Sequence, residues 1–232
     1  MKIAALIAFG LALLAGSAAA QTTSYTFRGG PFTAITNSTT CTVGECGTYT
    51  GAHRATATLT FAAPLAPNLP TADRSADVTA FTFSDGVRTT TGPGALGSMQ
   101  AVLFGTDAAG LPINFLVVLE RTPGPPYAVG DPTDPNSRLS IVALAPNQSQ
   151  GVTNAECSTR APTAAGSSPG NCSIAATDSG SSTAIAMTPT IVTLGVPVAV
   201  PTMTEWAMIL LALLLAGSAV LIVSRRRPEA CA

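Results

Sequence analysis

Apolar and polar residues alternate in much of the chain between residues 24 and 144. In residues 55–61 the apolar side chains of Ala57, Leu59 and Phe61 are separated by threonines. Because successive side chains of a strand point to opposite faces, this run predicts a strand with one buried apolar face and one threonine face. No comparable helical period occurs in this region, so the pattern predicts an all-β body.

Two turn signals predict β-hairpins. Asp85 and Gly86 separate residues 79–83 from residues 87–89, and an Asp-Gly pair tolerates the positive φ values of a tight turn. A second turn at residues 107–110 joins two further alternating runs, residues 98–104 and 113–120. The latter run is expected to place four apolar side chains on one face: Ile113, Phe115, Val117 and Leu119.

Further strand and loop signals complete the predicted fold. Residues 138–144 are another strand candidate, and the proline-rich residues 64–70 are predicted to be a loop between sheets. Turn signals at intervals of about ten residues predict an antiparallel β-sandwich ectodomain over residues 21–144. Residues 145–199 are rich in Ser, Ala, Gly and Thr and are predicted to be a stalk or loop, since residues 147–182 have few bulky apolar side chains. Residues 183–194 are a candidate closing strand.

An apolar run near the N-terminus predicts a signal peptide. Lys2 precedes the apolar residues 3–15, and small residues follow at 16–20. This order is typical of a secretory signal helix at residues 1–20, with cleavage between Ala20 and Gln21. The alternative is an uncleaved N-terminal anchor.

A second apolar run, residues 206–223, predicts one transmembrane helix. Its eighteen residues carry no charge, and as a helix they would measure roughly 27 Å against a hydrocarbon core of ~30 Å. Arg225, Arg226 and Arg227 form a basic flank that is expected to stay cytoplasmic, with residues 228–232 as a short cytoplasmic tail. The helix would then run from outside to inside. The alternative is a buried helix in a globular core.

A short motif precedes this apolar run. It consists of Val200, Pro201, Thr202, Met203, Glu205 and Trp206. Together with the apolar run and the arginines, residues 200–227 resemble the IPTL-type C-terminal sorting domain, a relative of the PEP-type tails handled by exosortases. Val200 and Met203 replace the Ile and Leu of that family. A plain juxtamembrane linker is the alternative.

The resemblance implies an exosortase-type membrane sorting protease of a Gram-negative bacterium as partner. The protease would remove the helix and arginines and release the ectodomain or attach it at the cell surface. Proteins with such tails are often linked to exopolysaccharide production. The body is also similar to ectodomains of other exosortase-sorted proteins, and four segments carry that likeness: residues 25–32, 63–69, 81–87 and 106–110. This second likeness implies a shared fold and not a shared activity.

The charge composition of the predicted ectodomain limits which classes of partner it could bind. Lys2 is the only lysine, and residues 21–199 hold seven arginines against ten carboxylates. A mildly acidic ectodomain without a basic patch disfavours nucleic acid and anionic lipid as partners.

Cysteine usage agrees with export. Four cysteines lie in the predicted exported part: Cys41, Cys46, Cys157 and Cys172. Three disulfide connectivities are open, and local pairing of Cys41 with Cys46 and of Cys157 with Cys172 is expected because each pair brackets a glycine-bearing loop. Cys231 is expected to stay reduced. The spacing of the four cysteines does not match a zinc site.

Residues that could carry chemistry are few. His53 is the only histidine, and no Ser or Cys arrangement in the sequence would complete a triad with it. Asp73, Asp77 and Asp85 are read as loop and turn residues and not as a glycosidase pair. Residues 130–137 alternate oxygen-bearing side chains as calcium loops do, but two prolines make them a stiff turn. No catalytic residue, metal or cofactor is therefore predicted.

These patterns together predict a non-enzymatic, exported surface or extracellular-matrix protein with a structural or adhesive role. Before processing it would cross the inner membrane once, N-terminus out and C-terminus in, and afterwards it would lie at the cell surface or outside the cell. Exopolysaccharide is the expected ligand of the threonine-rich faces. The alternatives are a secreted carbohydrate-active enzyme and a permanently anchored single-pass membrane protein.

Overall fold

The computed structural model describes residues 22–41, 43–94, 96–124, 127–160 and 172–195. The signal helix predicted at residues 1–20, the motif, helix and arginines predicted at 200–227, and the tail at 228–232 lie outside these ranges. Within the described ranges, no helix is long and apolar enough to cross a membrane.

The described residues fold as strands with two short 3-10 turns, Ser75–Asp77 and Pro135–Ser137. The thirteen strands in these ranges are β1 (Thr23–Arg28), β2 (Ala34–Thr36), β3 (Thr56–Phe61), β4 (Ala72–Asp73), β5 (Val78–Ser84), β6 (Thr89–Gly92), β7 (Gly97–Thr106), β8 (Pro112–Arg121), β9 (Arg138–Ala145), β10 (Gln148–Arg160), β11 (Cys172–Ala176), β12 (Ser182–Ala186) and β13 (Ile191–Leu194).

The strands form two antiparallel sheets. The five-stranded sheet has the order β13-β1-β3-β5-β6, and the eight-stranded sheet has the order β2-β12-β10-β9-β8-β7-β4, with β11 paired to β10 beside this path. The predicted hairpins are both present, as β5 with β6 and β7 with β8. The proline-rich loop at residues 64–70 connects β3 in one sheet to β4 in the other, as predicted.

One hydrophobic core joins the two sheets. The Phe27 ring of β1 meets the Phe115 ring of β8 edge-on at 5.1 Å, and the Phe61 ring of β3 meets the Phe104 ring of β7 at 6.0 Å. All four side chains are buried. The inward residues of β3 are Ala57, Leu59 and Phe61, and threonines alternate with them. The predicted all-β, antiparallel, sandwich-like architecture is therefore confirmed.

The structure differs from the predicted stalk at residues 145–199. Gln148–Arg160 is the longest described strand and lies between β9 and β12 inside the eight-stranded sheet. Its buried positions include Ser149, Gly151 and Thr153, which carry little apolar surface. A Cβ on Gly151 would lie only 3.1 Å from the Tyr49 hydroxyl and 3.2 Å from the Phe32 ring. Aromatic side chains from distant loops thus fill the space over a strand of small residues.

Two smaller predictions also require correction. The apolar run at residues 183–194 forms two strands in different sheets, because the chain crosses from β12 to β13 between them. In β8, Phe115, Val117 and Leu119 face the core, but Ile113 is 41% exposed. Asn114 has a φ of 50°, and the pairing of β7 with β8 shifts register nearby. This irregularity interrupts the alternation and turns Ile113 outward.

Candidate functional site

The outer face of the five-stranded sheet presents a regular array of hydroxyl groups. One row of threonines crosses all five strands, and the strand register places its members side by side: Thr193, Thr26, Thr58, Thr82 and Thr91. With neighbouring strands about 4.8 Å apart, the row extends for roughly 19 Å. Because the alternate residues of these strands form the core, the hydroxyls face solvent.

Flanking rows continue the array. Ser24 and Thr60 lie on one side of the central row, and Thr56, Ser84 and Thr89 lie on the other. Cross-strand hydrogen bonds of 2.9 Å join the hydroxyls of Ser24 and Thr60 and those of Thr26 and Thr58. We call this set of ten Ser and Thr residues the hydroxyl face. Each hydroxyl has one donor and two acceptor lone pairs, so the face can bond a hydroxyl-rich partner.

A cleft of about 280 Å³ lies at one end of this sheet. Its lining comes from the end of β1, the start of β3 and the segment before β13: Arg28, Gly29, Gly30, Pro31, Arg54, Thr188, Pro189 and Ile191. Among the described residues, no carboxylate is part of this lining. Arg28 pairs with Thr56, two residues beyond Arg54, so the two arginines are diagonal neighbours on adjacent chain segments.

Close backbone contacts shape the floor of this cleft. A Cβ on Gly29 would collide with Ser149 Oγ, and one on Gly30 would collide with Thr188 Oγ1. Thr188 Oγ1 is buried and has no hydrogen-bond partner in the part of the chain that the structure describes. The two glycines therefore allow the β1 end to approach β10 and the residues before β13, leaving space above them for a ligand.

The hydroxyl face and the cleft were only partly visible in the sequence. The threonine alternation in β3 predicted one strand of the face, but the register that aligns five strands could not be read from it. The sequence pattern alone does not predict a functional role for Arg28 or Arg54. The signal that could have indicated the cleft is the position of the two arginines: Arg28 ends one strand, and Arg54 shortly precedes the next long strand.

Both expected disulfides are present. Cys41 bonds to Cys46, and Cys157 bonds to Cys172. Cys157 and Cys172 are fully buried with Leu139, Val152 and Ala155 in a small second core. This bridge joins β10 to β11.

A buried carboxylate lies beside that bridge. Glu120 has no exposed surface and accepts hydrogen bonds from Ser98 Oγ at 3.0 Å, Gln100 Nε2 at 2.7 Å and Cys172 N at 3.3 Å. Burial raises the pKa of Glu120 despite these bonds. Its neighbour Leu119 faces the main core, so Glu120 lies on the opposite face of the eight-stranded sheet. Because Glu120 is fully buried, its carboxylate holds neighbouring segments together and cannot contact a large substrate.

A second polar cluster also has a structural role. Arg138 Nη1 pairs with Asp178 Oδ2 at 2.8 Å and donates to the carbonyl of Asn154 at 3.1 Å. The adjoining cavity measures about 10 Å³, and its lining includes Glu45 and Arg121, which form an ion pair. That volume suits a single water molecule and not a sugar.

Two of the aspartates considered for catalysis, Asp77 and Asp85, lie at opposite ends of one strand. Asp77 and Asp85 flank the seven-residue strand β5, so at about 3.3 Å per residue they are roughly 26 Å apart, beyond the ~5–10 Å of glycosidase carboxylates. Asp85 instead accepts the Val87 and Arg88 N–H groups at 2.9 and 2.8 Å and the Tyr49 hydroxyl at 2.9 Å. Burial and the Asp85 charge together raise the pKa of Tyr49.

The remaining candidates bond within their own turns. Asp73 Oδ1 accepts hydrogen bonds from Ser75 N at 2.9 Å and Ser75 Oγ at 2.7 Å, and His53 Nδ1 accepts one from Thr50 N at 3.3 Å. In residues 130–137, Thr133 donates two bonds to Asp131 and thereby lowers the pKa of that carboxyl. The oxygens of this loop are thus engaged in the turn.

The sorting-motif residues Val200, Pro201, Thr202, Met203, Glu205 and Trp206 and the arginines Arg225, Arg226 and Arg227 lie outside the described residues. The family model for the IPTL-CTERM motif matches residues 198–228. The chain carries a C-terminal sorting motif.

The IPTL-CTERM motif indicates an exported, surface-directed protein whose partners include a sorting enzyme. It covers the predicted motif, apolar run and arginines and does not extend into the sandwich. No curated protein and no solved structure matches the chain. The motif match therefore gives no information about the function of the sandwich.

Proposed function

We propose that the sandwich is a non-enzymatic structural or adhesive module that binds exopolysaccharide through the hydroxyl face. The observation that carries this proposal is the row of five threonines across the whole five-stranded sheet. A polysaccharide offers repeated hydroxyls and can form many weak hydrogen bonds along such a row. Each bond is modest, about 0.5–1.5 kcal/mol, so a repeated array provides affinity through number.

The surface chemistry also supports a polar polymer over an apolar partner. The central row is made of threonine alone, and its flanks add serine and threonine. Trp206, the only tryptophan, belongs to the motif and not to the sandwich. The sandwich would therefore bind the polysaccharide by hydrogen bonds to the hydroxyl face and not by stacking of sugar rings on tryptophan.

We further propose how the protein reaches its place of action. The IPTL-CTERM motif supports handling by an exosortase-type membrane protease after export. Until then the chain would be held in the inner membrane by one helix, with its N-terminus outside and its C-terminus inside. After processing, the sandwich would remain at the cell surface or in the extracellular matrix.

The test is retention of the purified protein on exopolysaccharide from the producing organism. The variant Thr58→Val/Thr82→Val removes two adjacent hydroxyls from the central row and keeps the β-branched shape. Loss of two hydrogen bonds should weaken binding roughly tenfold. The matched control is Thr36→Val/Thr183→Val, which changes a directly paired threonine couple in the eight-stranded sheet and should bind like the wild type.

Equal binding by both double variants would exclude the hydroxyl face as the contact surface. Release of shortened polysaccharide chains during the incubation would favour a carbohydrate-active enzyme and contradict the proposal. Stable retention of intact polymer supports an adhesive role.

A further inference from the structure

We propose that the cleft beside β1 and β3 binds the carboxylate of an acidic sugar through Arg28 and Arg54. This inference deepens the proposed function, because it rests on polysaccharide as the ligand and adds that the polymer is anionic. Three independent features support it: the state of the two arginines, the shape of the cleft and its continuity with the hydroxyl face.

No described residue neutralises the two positive charges in the cleft. Neither Arg28 nor Arg54 has a hydrogen-bond or ion-pair partner for its guanidinium among the described residues. Three other arginines in these ranges, Arg88, Arg121 and Arg138, do form ion pairs. Two neighbouring like charges repel each other, and a bound carboxylate would remove this repulsion. A guanidinium also matches a carboxylate geometrically, since it can donate two parallel hydrogen bonds.

The cleft has the dimensions and polarity for one sugar unit. Its volume of about 280 Å³ is close to the lower end of small-ligand pockets, ~300 Å³. Thr188 is also part of the lining, and its Oγ1 is packed against Gly30.

The cleft continues the hydroxyl face. Arg28 follows Ser24 and Thr26 at the two-residue spacing of one strand face, and it pairs with Thr56 of the flanking row. Arg54 precedes Thr56 at the same spacing. A chain lying across the threonines could therefore place one unit against the arginines. The hydroxyl face would hold the polymer, and the cleft would select for its charge.

The test uses the purified full-length chain, with the same detergent in every arm, and two polymers with one backbone. Polygalacturonate carries a carboxylate on each unit, and its fully methyl-esterified form does not. We expect the acidic polymer to bind roughly tenfold more tightly than the ester. Dextran sulfate is the third probe, and it should not reproduce this affinity when matched in charge density.

The variants Arg28→Gln and Arg54→Gln should each weaken binding of polygalacturonate roughly tenfold and leave binding of the ester unchanged. Arg74→Gln is the control, because it removes the same charge at a loop arginine outside the cleft. A melting curve for each variant verifies folding. Among the described residues, neither Arg28 nor Arg54 makes a hydrogen bond or ion pair that its variant would remove.

The outcomes separate the two proposals. Equal binding of acid and ester, or equal losses in Arg54→Gln and Arg74→Gln, would overturn the carboxylate site and leave the hydroxyl face untouched. Dextran sulfate binding with the same arginine dependence would reduce the cleft to a general anion site and overturn the assignment to acidic sugars. Selective binding of polygalacturonate without retention on the producer's exopolysaccharide would support the cleft and count against the proposed function.

Discussion

At the scale of single residues, Glu120 should make the stability of the folded protein depend on pH. It lies under β11 with no exposed surface, and Cys172 N donates to it directly. Burial raises the pKa of Glu120 above its ordinary value of 4.5, so the folded protein keeps the proton to higher pH than the unfolded chain does. The carboxyl therefore favours folding most fully below pH 4.5, and this contribution is lost as pH rises through the raised pKa.

The variant Glu120→Gln should remove this pH dependence. Its side chain keeps the shape and an acceptor oxygen but does not titrate. We expect its free energy of unfolding, relative to the wild type, to increase from about pH 4 to about pH 8. Urea unfolding at several pH values measures the difference. Glu156→Gln on β10 is the control, since Glu156 is partly exposed. A pH profile that is the same for both variants would contradict the burial argument.

Asp85 shows how far the sequence predicts a residue's role. Its place in an Asp-Gly turn was predicted, and its Oδ1 does accept the Val87 and Arg88 N–H groups. The contact of Oδ2 with Tyr49, 36 positions earlier, was not predictable. Turn chemistry is local, whereas this hydrogen bond depends on how a distant loop packs over β10. The same distinction applies to Arg28 and Arg54, whose proximity depends on the register of two strands.

At the scale of elements, the hairpins could be predicted but β10 could not. Asp-Gly and the alternating runs specify the β5–β6 and β7–β8 pairs with little help from the rest of the chain. The apolar surface around β10 is instead supplied by Phe32 and Tyr49, whose rings meet at 5.5 Å beside Gly151. A strand whose buried residues are small gives no hydrophobic period of its own.

The two disulfides should contribute unequally to the stability of these elements. Cys157 and Cys172 are 15 positions apart, which corresponds to about 3 kcal/mol of loop entropy, whereas a separation of 5 gives about 2 kcal/mol. Cys157 and Cys172 also pack against Leu139 and Val152. The double variant Cys157→Ala/Cys172→Ala should therefore lose more free energy of unfolding than Cys41→Ala/Cys46→Ala. Urea titration of both variants provides the measurement, and the reverse order would contradict the role of the second core.

At the scale of the whole molecule, the sorting motif follows the sandwich in the sequence without overlapping it. The hydroxyl face belongs to residues before 195, and the IPTL-CTERM match begins at residue 198. Cleavage within the motif would leave every strand of the five-stranded sheet in the mature protein, including β13 at its edge. The binding surface proposed here would therefore survive processing intact.

Processing at this junction can be tested with two prolines that lie four positions apart. Pro201 is inside the matched motif and Pro197 is just outside it. Proline disfavours helix in the residue before it, so Pro201 should keep Val200 extended for the protease. We expect Pro201→Ala to accumulate uncleaved in the producing organism, and Pro197→Ala to be processed like the wild type. Intact-mass measurement of the recovered proteins should find the wild type ending before Trp206. A wild-type protein that is intact through Ala232 would contradict processing, and equal cleavage of both variants would show that recognition does not depend on Pro201.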